Sequence, residues 1–199
     1  LTKQIKMKIF LYAQGRSGSN TILHTLKDVL NIKHVWEKKF NREIIDHELF
    51  ESRTQEDNII VKFHPGQRTS KFSTDIDFLK YIDNNFDHLL FHARANTYDT
   101  ALSIENGLVN KNQSWISTKY ESTVTRPLLG HVEHASTKLT DLLNYSRMLG
   151  KDLTFYEEIF SDKPGLVINT VKRWRIDSNL LSYDILLEQF NSKGKYTNK

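Results

Sequence analysis

The chain has no cysteine at all, and only three prolines and two methionines in its 199 residues. Without thiols there can be no disulfide, no thiolate metal site and no cysteine nucleophile. That agrees with a reducing compartment, and a cytoplasmic location is expected. Long apolar runs are missing as well. None approaches the roughly 20 residues that span a bilayer, so no stable membrane insertion is expected. The opening stretch, Leu1 to Lys6, is interrupted by polar side chains and lacks a small-residue cleavage site, so no secretory signal is read there. Excess charge of either sign is also lacking: 28 basic residues face 24 acidic ones, a formal +4. A nucleic-acid face needs clustered cations. The densest run, Lys172-Arg173-Trp174-Arg175, reads as solvated surface. No nucleic-acid partner is expected, although a modest positive field suits a small polyanion.

What is present alternates between two periods. Met7 to Ala13 is a nearly continuous apolar run rich in β-formers, the pattern of a strand buried on both faces. Asn58 to His64 and His88 to Ala93 read the same way, and Lys151 to Phe155 is a fourth candidate strand. Helical spacing covers Thr21 to Leu30, Thr74 to Phe86, Thr97 to Leu108, His131 to Leu149 and Leu180 to Phe190. Strands alternating with helices predict an α/β fold: three layers, α/β/α, around a mostly parallel central sheet. Residues 1–199 read as one domain, with a polar, aperiodic stretch over 107–127 expected to be a long loop walling an acceptor site.

Between the first strand and first helix lies Gln14-Gly15-Arg16-Ser17-Gly18-Ser19-Asn20-Thr21. The opening amides of a helix are unpaired and carry partial positive charge, so glycines that let the backbone turn tightly there create an anion site. An ATP-type loop reads G-x-x-x-x-G-K-[ST]. Here Ser19 follows the second glycine, and the cation precedes it, at Arg16.

This segment resembles the 5′-phosphosulfate loop, (K/R)-S-G-(T/S)-x, of sulfotransferases, enzymes that use 3′-phosphoadenosine 5′-phosphosulfate (PAPS) and release adenosine 3′,5′-bisphosphate (PAP). Three further segments match in the family's order. Val61-Lys62-Phe63-His64-Pro65 is similar to the K-x-H-x-P strand end, with proline here following the histidine directly. Arg94 to Ser103 resembles the 3′-phosphate motif, with Asn96, Asp99 and Ser103 in register and the arginine one residue early. Phe155 to Pro164 resembles the Y-E-D-L-x-x-D-P segment, whose tyrosine lies near the adenine. Ala101-Leu102-Ser103 followed by Gln113-Ser114-Trp115 is closest to the carbohydrate-type bacterial branch. The family's C-terminal R-K-G element is not evident; Lys172-Arg173 and Ser192-Lys193-Gly194-Lys195 are the candidates to replace it.

The resemblance implies a P-loop NTPase-like fold and a sulfotransferase acting on a hydroxyl of a carbohydrate, lipid or other small acceptor. Gly15, Arg16, Ser17, Gly18, Ser19, Asn20 and Thr21 would hold the 5′-phosphosulfate. Arg94 and Ser103 would hold the 3′-phosphate, with Tyr156 beside the base. Such sulfuryl transfer needs in-line positioning and charge stabilisation, from Arg16 and Lys62, and it needs no metal. Two residues compete for the general base. His64 ends a buried strand and has the right intrinsic basicity. Glu37, in the expected loop after the first helix, lies 21 residues beyond Arg16, a spacing similar to that of the glutamate in tyrosyl and carbohydrate sulfotransferases. Glu37 is slightly preferred. A P-loop-type small-molecule kinase and a non-catalytic nucleotide-binding module remain the alternatives. His131 and His134 read as surface or capping residues, Trp115 and Trp174 as packing residues, and Asp75 and Asp77 as charges complementing a helix start.

Overall fold

A computed structural model of the protein describes residues 6–37, 44–109 and 126–194. In chain order the elements are β1 (Met7–Ala13), α1 (Ser19–Val29), β2 (His34–Glu37), β3 (Ile44–Ile45), α2 (His47–Thr54), β4 (Asn58–Phe63) and β5 (Arg68–Thr69). There follow α3 (Asp75–Asn85), β6 (His88–Ala93), α4 (Thr97–Val109), α5 (Arg126–Met148), β7 (Leu153–Phe155), α6 (Tyr156–Ile159), α7 (Pro164–Lys172) and α8 (Tyr183–Gly194).

Five strands form one sheet in the order β2-β4-β1-β6-β7, and every neighbouring pair is parallel. β3 and β5 make a separate parallel pair. Helices cover both faces, the three-layer α/β arrangement that the strand–helix alternation predicted. Side chains on β1 alternate between the two layers. Ile9, Leu11 and Ala13 pack with Ile22, Leu23 and Leu26 of α1, Val167 and Val171 of α7, and Leu186 and Phe190 of α8. Phe10 and Tyr12 face the other layer, built from α2, α3 and α5. There Phe10 meets Phe63, Phe86 and Phe78 at centroid distances of 5.2, 5.4 and 5.7 Å, all edge-to-face, the packing preferred by aromatic quadrupoles.

The sheet order also fixes where a ligand would bind. From β1 the chain runs outward to β2 on one side, and from β6 it runs outward to β7 on the other. Adjacent strands whose connections diverge leave a crevice at their carboxyl ends, the usual ligand position in open α/β sheets. The loops 14–18 and 94–96 flank that crevice.

Three sequence expectations change. Glu37 is not in a loop: it is the last residue of β2, in register with Lys62 of β4. That strand is four residues long with a polar residue at each end, so only its pairing with β4 identifies it. Residues 107–109 and 126–127 are helical, the end of α4 and the start of α5. α4 packs against α5 and continues through Asn106 and Gly107, residues of poor helix propensity on their own. Pro127, in the first turn of α5, is compatible with helix there because its missing N–H has no partner to lose. The remainder of the expected acceptor loop, including Gln113, Ser114 and Trp115, lies outside the described residues. The helices α2 and α7 were not anticipated.

Candidate functional site

The loop after β1 adopts an unusual backbone. Arg16 has φ +66° and Gly18 has φ +75°. For a residue with a side chain the left-handed region costs about 1–2 kcal/mol, so Arg16 needs its surroundings to hold it. Gly18 is required on two grounds. Its φ favours glycine, and a Cβ there would lie 2.6 Å from Cε2 of Phe160 and 2.9 Å from Cδ2 of Tyr156. Ser17 pins the loop: its hydroxyl donates to the Gln14 carbonyl at 2.6 Å, and its own carbonyl accepts from Nε2 of His92 at 2.6 Å. Gln14 ties three elements together. Its backbone N–H donates to the His92 carbonyl at 2.9 Å, its side-chain Nε2 donates to the Ala135 carbonyl at 2.9 Å, and its Oε1 accepts from the Arg94 N–H at 3.0 Å.

Helix α1 opens on Gly18, which has no side chain to cap it, and its first turn holds no acidic residue. The starts of α2, α3 and α4 differ. Asp46 accepts from the Leu49 N–H at 2.8 Å, Thr74 from the Asp77 N–H at 3.2 Å, and Asn96 from the Asp99 N–H at 3.1 Å. The positive end of α1, with Arg16 beside it, thus has neither a side-chain cap nor an acidic residue in its first turn, unlike those of α2, α3 and α4.

From β4 comes Lys62, a lysine only 1% exposed. Its Nζ donates to Oδ1 of Asn20, in the first turn of α1. Asn20 and Lys62, assigned to separate motifs in the sequence, thus meet, and Glu37 is the strand neighbour of Lys62 across β2 and β4. The side chain of Glu37 lies outside the described residues. His64 is buried; its Nδ1 lies 2.7 Å from the Ala13 carbonyl. A carbonyl only accepts, so Nδ1 carries a proton.

The turn after β4 is braced from beneath by Asp75. This carboxylate accepts from the Tyr12 hydroxyl at 2.7 Å and from the Gly66 N–H at 2.7 Å, and pairs with Arg68 at 3.4 Å. Asp75 stands in the first turn of α3, as expected of a charge that complements a helix start, and it is in addition a buried polar hub. Burial, with Asp75 beside it, pushes the Tyr12 hydroxyl well above its usual pKa and Tyr145 up to about 12.

At the end of β6, Arg94 donates from Nη2 to Asp99 at 2.9 Å, has Nε 3.9 Å from Glu157, and stacks its guanidinium 4.6 Å above the Tyr156 ring. Tyr156 in turn packs on Phe160, with centroids 4.5 Å apart. Glu157, at the start of α6, ties the ends of β6 and β7 together: its two oxygens accept from the Ala95 and Asn96 N–H groups, each at 3.1 Å. Ser103 is half-buried on α4, one turn beyond Asp99. The structure thus joins Gly18, Arg94 and Tyr156 through one aromatic contact chain, while Ser103 lies further along the helix.

The remaining sequence candidates separate. Arg173 bonds Glu158, and Trp174 is buried with its indole N–H donating to Thr154 at 3.4 Å. His131 pairs with Glu105 at 3.1 Å. Sequence reasoning missed Gln14, His92, Asp75 and Glu157, whose roles come from contacts between distant segments. Among the described residues no group of three or more His, Asp or Glu side chains gathers as metal ligands, and no helix is long and apolar enough to cross a membrane.

The arrangement can bind an anion at the start of α1, with Arg16 and Arg94 on the two sides of the crevice. Compared with models of known protein families and with curated protein sequences, the chain matches none.

Proposed function

We propose that this protein is a PAPS-dependent sulfotransferase, acting in the cytoplasm on a hydroxyl of a carbohydrate, lipid or other small acceptor. One observation carries the reading. The loop 14–18, Lys62, Arg94 and Tyr156, drawn from four separate segments, converge at the carboxyl edge of one parallel sheet, around its switch point. The chain's residues fit an adenosine nucleotide with anionic groups at both ends of the ribose. The uncapped start of α1 with Arg16 suits the 5′ end, Arg94 and Ser103 the 3′-phosphate, and Tyr156 the base. Binding a phosphate at Arg94 requires that guanidinium to release Asp99, whose side chain is 41% exposed and readily resolvated.

The chemistry asks little of the protein beyond placement and charge. In the transfer, the bond between sulfur and the bridging phosphate oxygen breaks and its electron pair stays on that oxygen. A bond from the acceptor oxygen to sulfur forms, and the acceptor proton passes to a base. Arg16 and the amides of α1 stabilise the departing phosphate, Lys62 the sulfuryl oxygens. Glu37, at the end of β2 beside Lys62, is the proposed base; His64, with Nδ1 committed to Ala13, braces the end of β4 against β1.

The test is direct. Supplied with sulfur-labelled PAPS and a panel of oligosaccharide, sterol and phenol acceptors, the protein is expected to move label onto at least one acceptor class, without added metal. Label remaining wholly on the nucleotide across the panel, in a protein that binds PAP, would instead establish a binding module.

A further inference from the structure

We propose that His92 is a positioning residue that sets the anion-binding conformation of the loop between β1 and α1, acting through the Ser17 carbonyl and touching no ligand itself. The inference rests on the functional reading above only for the identity of the anion.

His92 is fully buried on β6, one residue before the strand ends. Its Nε2 lies 2.6 Å from the Ser17 carbonyl oxygen, which can only accept, so Nε2 carries a proton. On the ring's other side, Nδ1 is 3.2 Å from the Thr154 hydroxyl, which also receives the Trp174 indole N–H. The imidazole is thereby held through Nε2, with Nδ1 lying against the Thr154 hydroxyl, whose own proton goes to the Phe91 carbonyl at 3.0 Å. The consequence for the loop follows from peptide geometry. All peptide bonds among the described residues are trans, and in a planar trans peptide the carbonyl and the following N–H point in opposite directions. Drawing the Ser17 carbonyl onto His92 therefore turns the Gly18 N–H away from the interior. The residues on either side of Ser17, with φ +66° and +75°, are in sparsely populated conformations that persist only where the surroundings over-determine them. Successive N–H groups in such turns form anion-binding concavities. The His92 bond and the Ser17 hydroxyl bond to Gln14 are the contacts that over-determine this one.

The experiment compares wild type with His92→Met, which fills similar volume without a donor, and His92→Gln, whose amide N–H reaches the same carbonyl. Three quantities are read: affinity for adenosine 3′,5′-bisphosphate by calorimetry, the Gly18 amide resonance, and the protonated ring nitrogen of His92 by ¹⁵N NMR. Wild type is expected to carry the proton on Nε2 at pH 7. His92→Met should bind the nucleotide about tenfold more weakly or worse, with the Gly18 resonance moved, and His92→Gln should recover to within about threefold. A proton on Nδ1 with Nε2 bare in wild type overturns the proposal, and this reading does not depend on any variant folding. So does a folded His92→Met with wild-type affinity and an unmoved Gly18 amide, or a His92→Gln no better than His92→Met. If wild type binds no nucleotide, the sulfotransferase reading fails by itself, and the Gly18 resonance alone decides the role of His92.

Discussion

Substituting Glu37→Gln is expected to slow sulfuryl transfer by about 10²- to 10⁴-fold, the range a positioned general base contributes, while leaving PAP affinity within about threefold. The reason is position. β2 ends on Glu37, in register with the buried Lys62, whose Nζ reaches the first turn of α1. A base there removes a proton from the acceptor and takes no part in holding the nucleotide, so turnover and binding separate. His64→Asn should behave differently. It keeps a donor toward the Ala13 carbonyl and is expected to lower turnover by less than about tenfold. The measurement is single-turnover transfer with labelled PAPS for both variants. If His64→Asn abolishes transfer and Glu37→Gln does not, the assignment of the base is reversed.

Acidification is expected to destabilise the protein through His92 before most carboxylates are protonated. Burial lowers the His92 pKa to about 4, against the small opposing effects of the Ser17 carbonyl, Glu157 and Thr154, so the ring is neutral in the native state. In the unfolded chain its pKa returns to about 6.5. Between those two values the unfolded state takes up a proton that the native state refuses. Stability therefore falls as pH drops from about 6.5 toward 4, at up to about 1.4 kcal/mol per pH unit and about 3 kcal/mol in all. Burial displaces His88 in the same direction, though that ring is only part-buried and adds less. Denaturant titrations at pH 7.5, 5.5 and 4.5 should show this loss in wild type, and a shallower slope in His92→Gln. Equal slopes would mean that the His92 ring is protonated in the folded protein.

Much of the layer architecture was legible because it is written in local periodicity. β1 reads as a strand buried on both faces since Ile9, Phe10, Leu11 and Tyr12 leave no polar side, and in the structure both faces are covered. The tight turn at 14–18 was legible because glycine between a strand and a helix permits the left-handed backbone found at Gly18. Other features were hidden for physical reasons. β2 is too short and polar to declare itself, so Glu37 was read as loop until its pairing with β4 was seen. Gln14 and His92 look like ordinary strand-end residues; their importance lies in hydrogen bonds to Ala135, Arg94 and Ser17, made across long stretches of chain. Glu157 was read only as part of a motif, yet it bonds the Ala95 and Asn96 amides from the far side of β6. Asp75 was read from its place at a helix start, and its partners Tyr12, Gly66 and Arg68 are not neighbours in a pattern any periodicity reveals.

The central claim is the class of nucleotide held at the start of α1, and thermal denaturation in the presence of different nucleotides tests it most directly. Adenosine 3′,5′-bisphosphate at about 100 times its dissociation constant should add about 2.7 kcal/mol to the native state. ADP and ATP, lacking the 3′-phosphate, should add much less at equal concentration, with or without magnesium, and Arg16→Ala should abolish most of the bisphosphate effect. Stabilisation by magnesium-ATP in preference to the bisphosphate, or indifference to every nucleotide offered, would contradict the account.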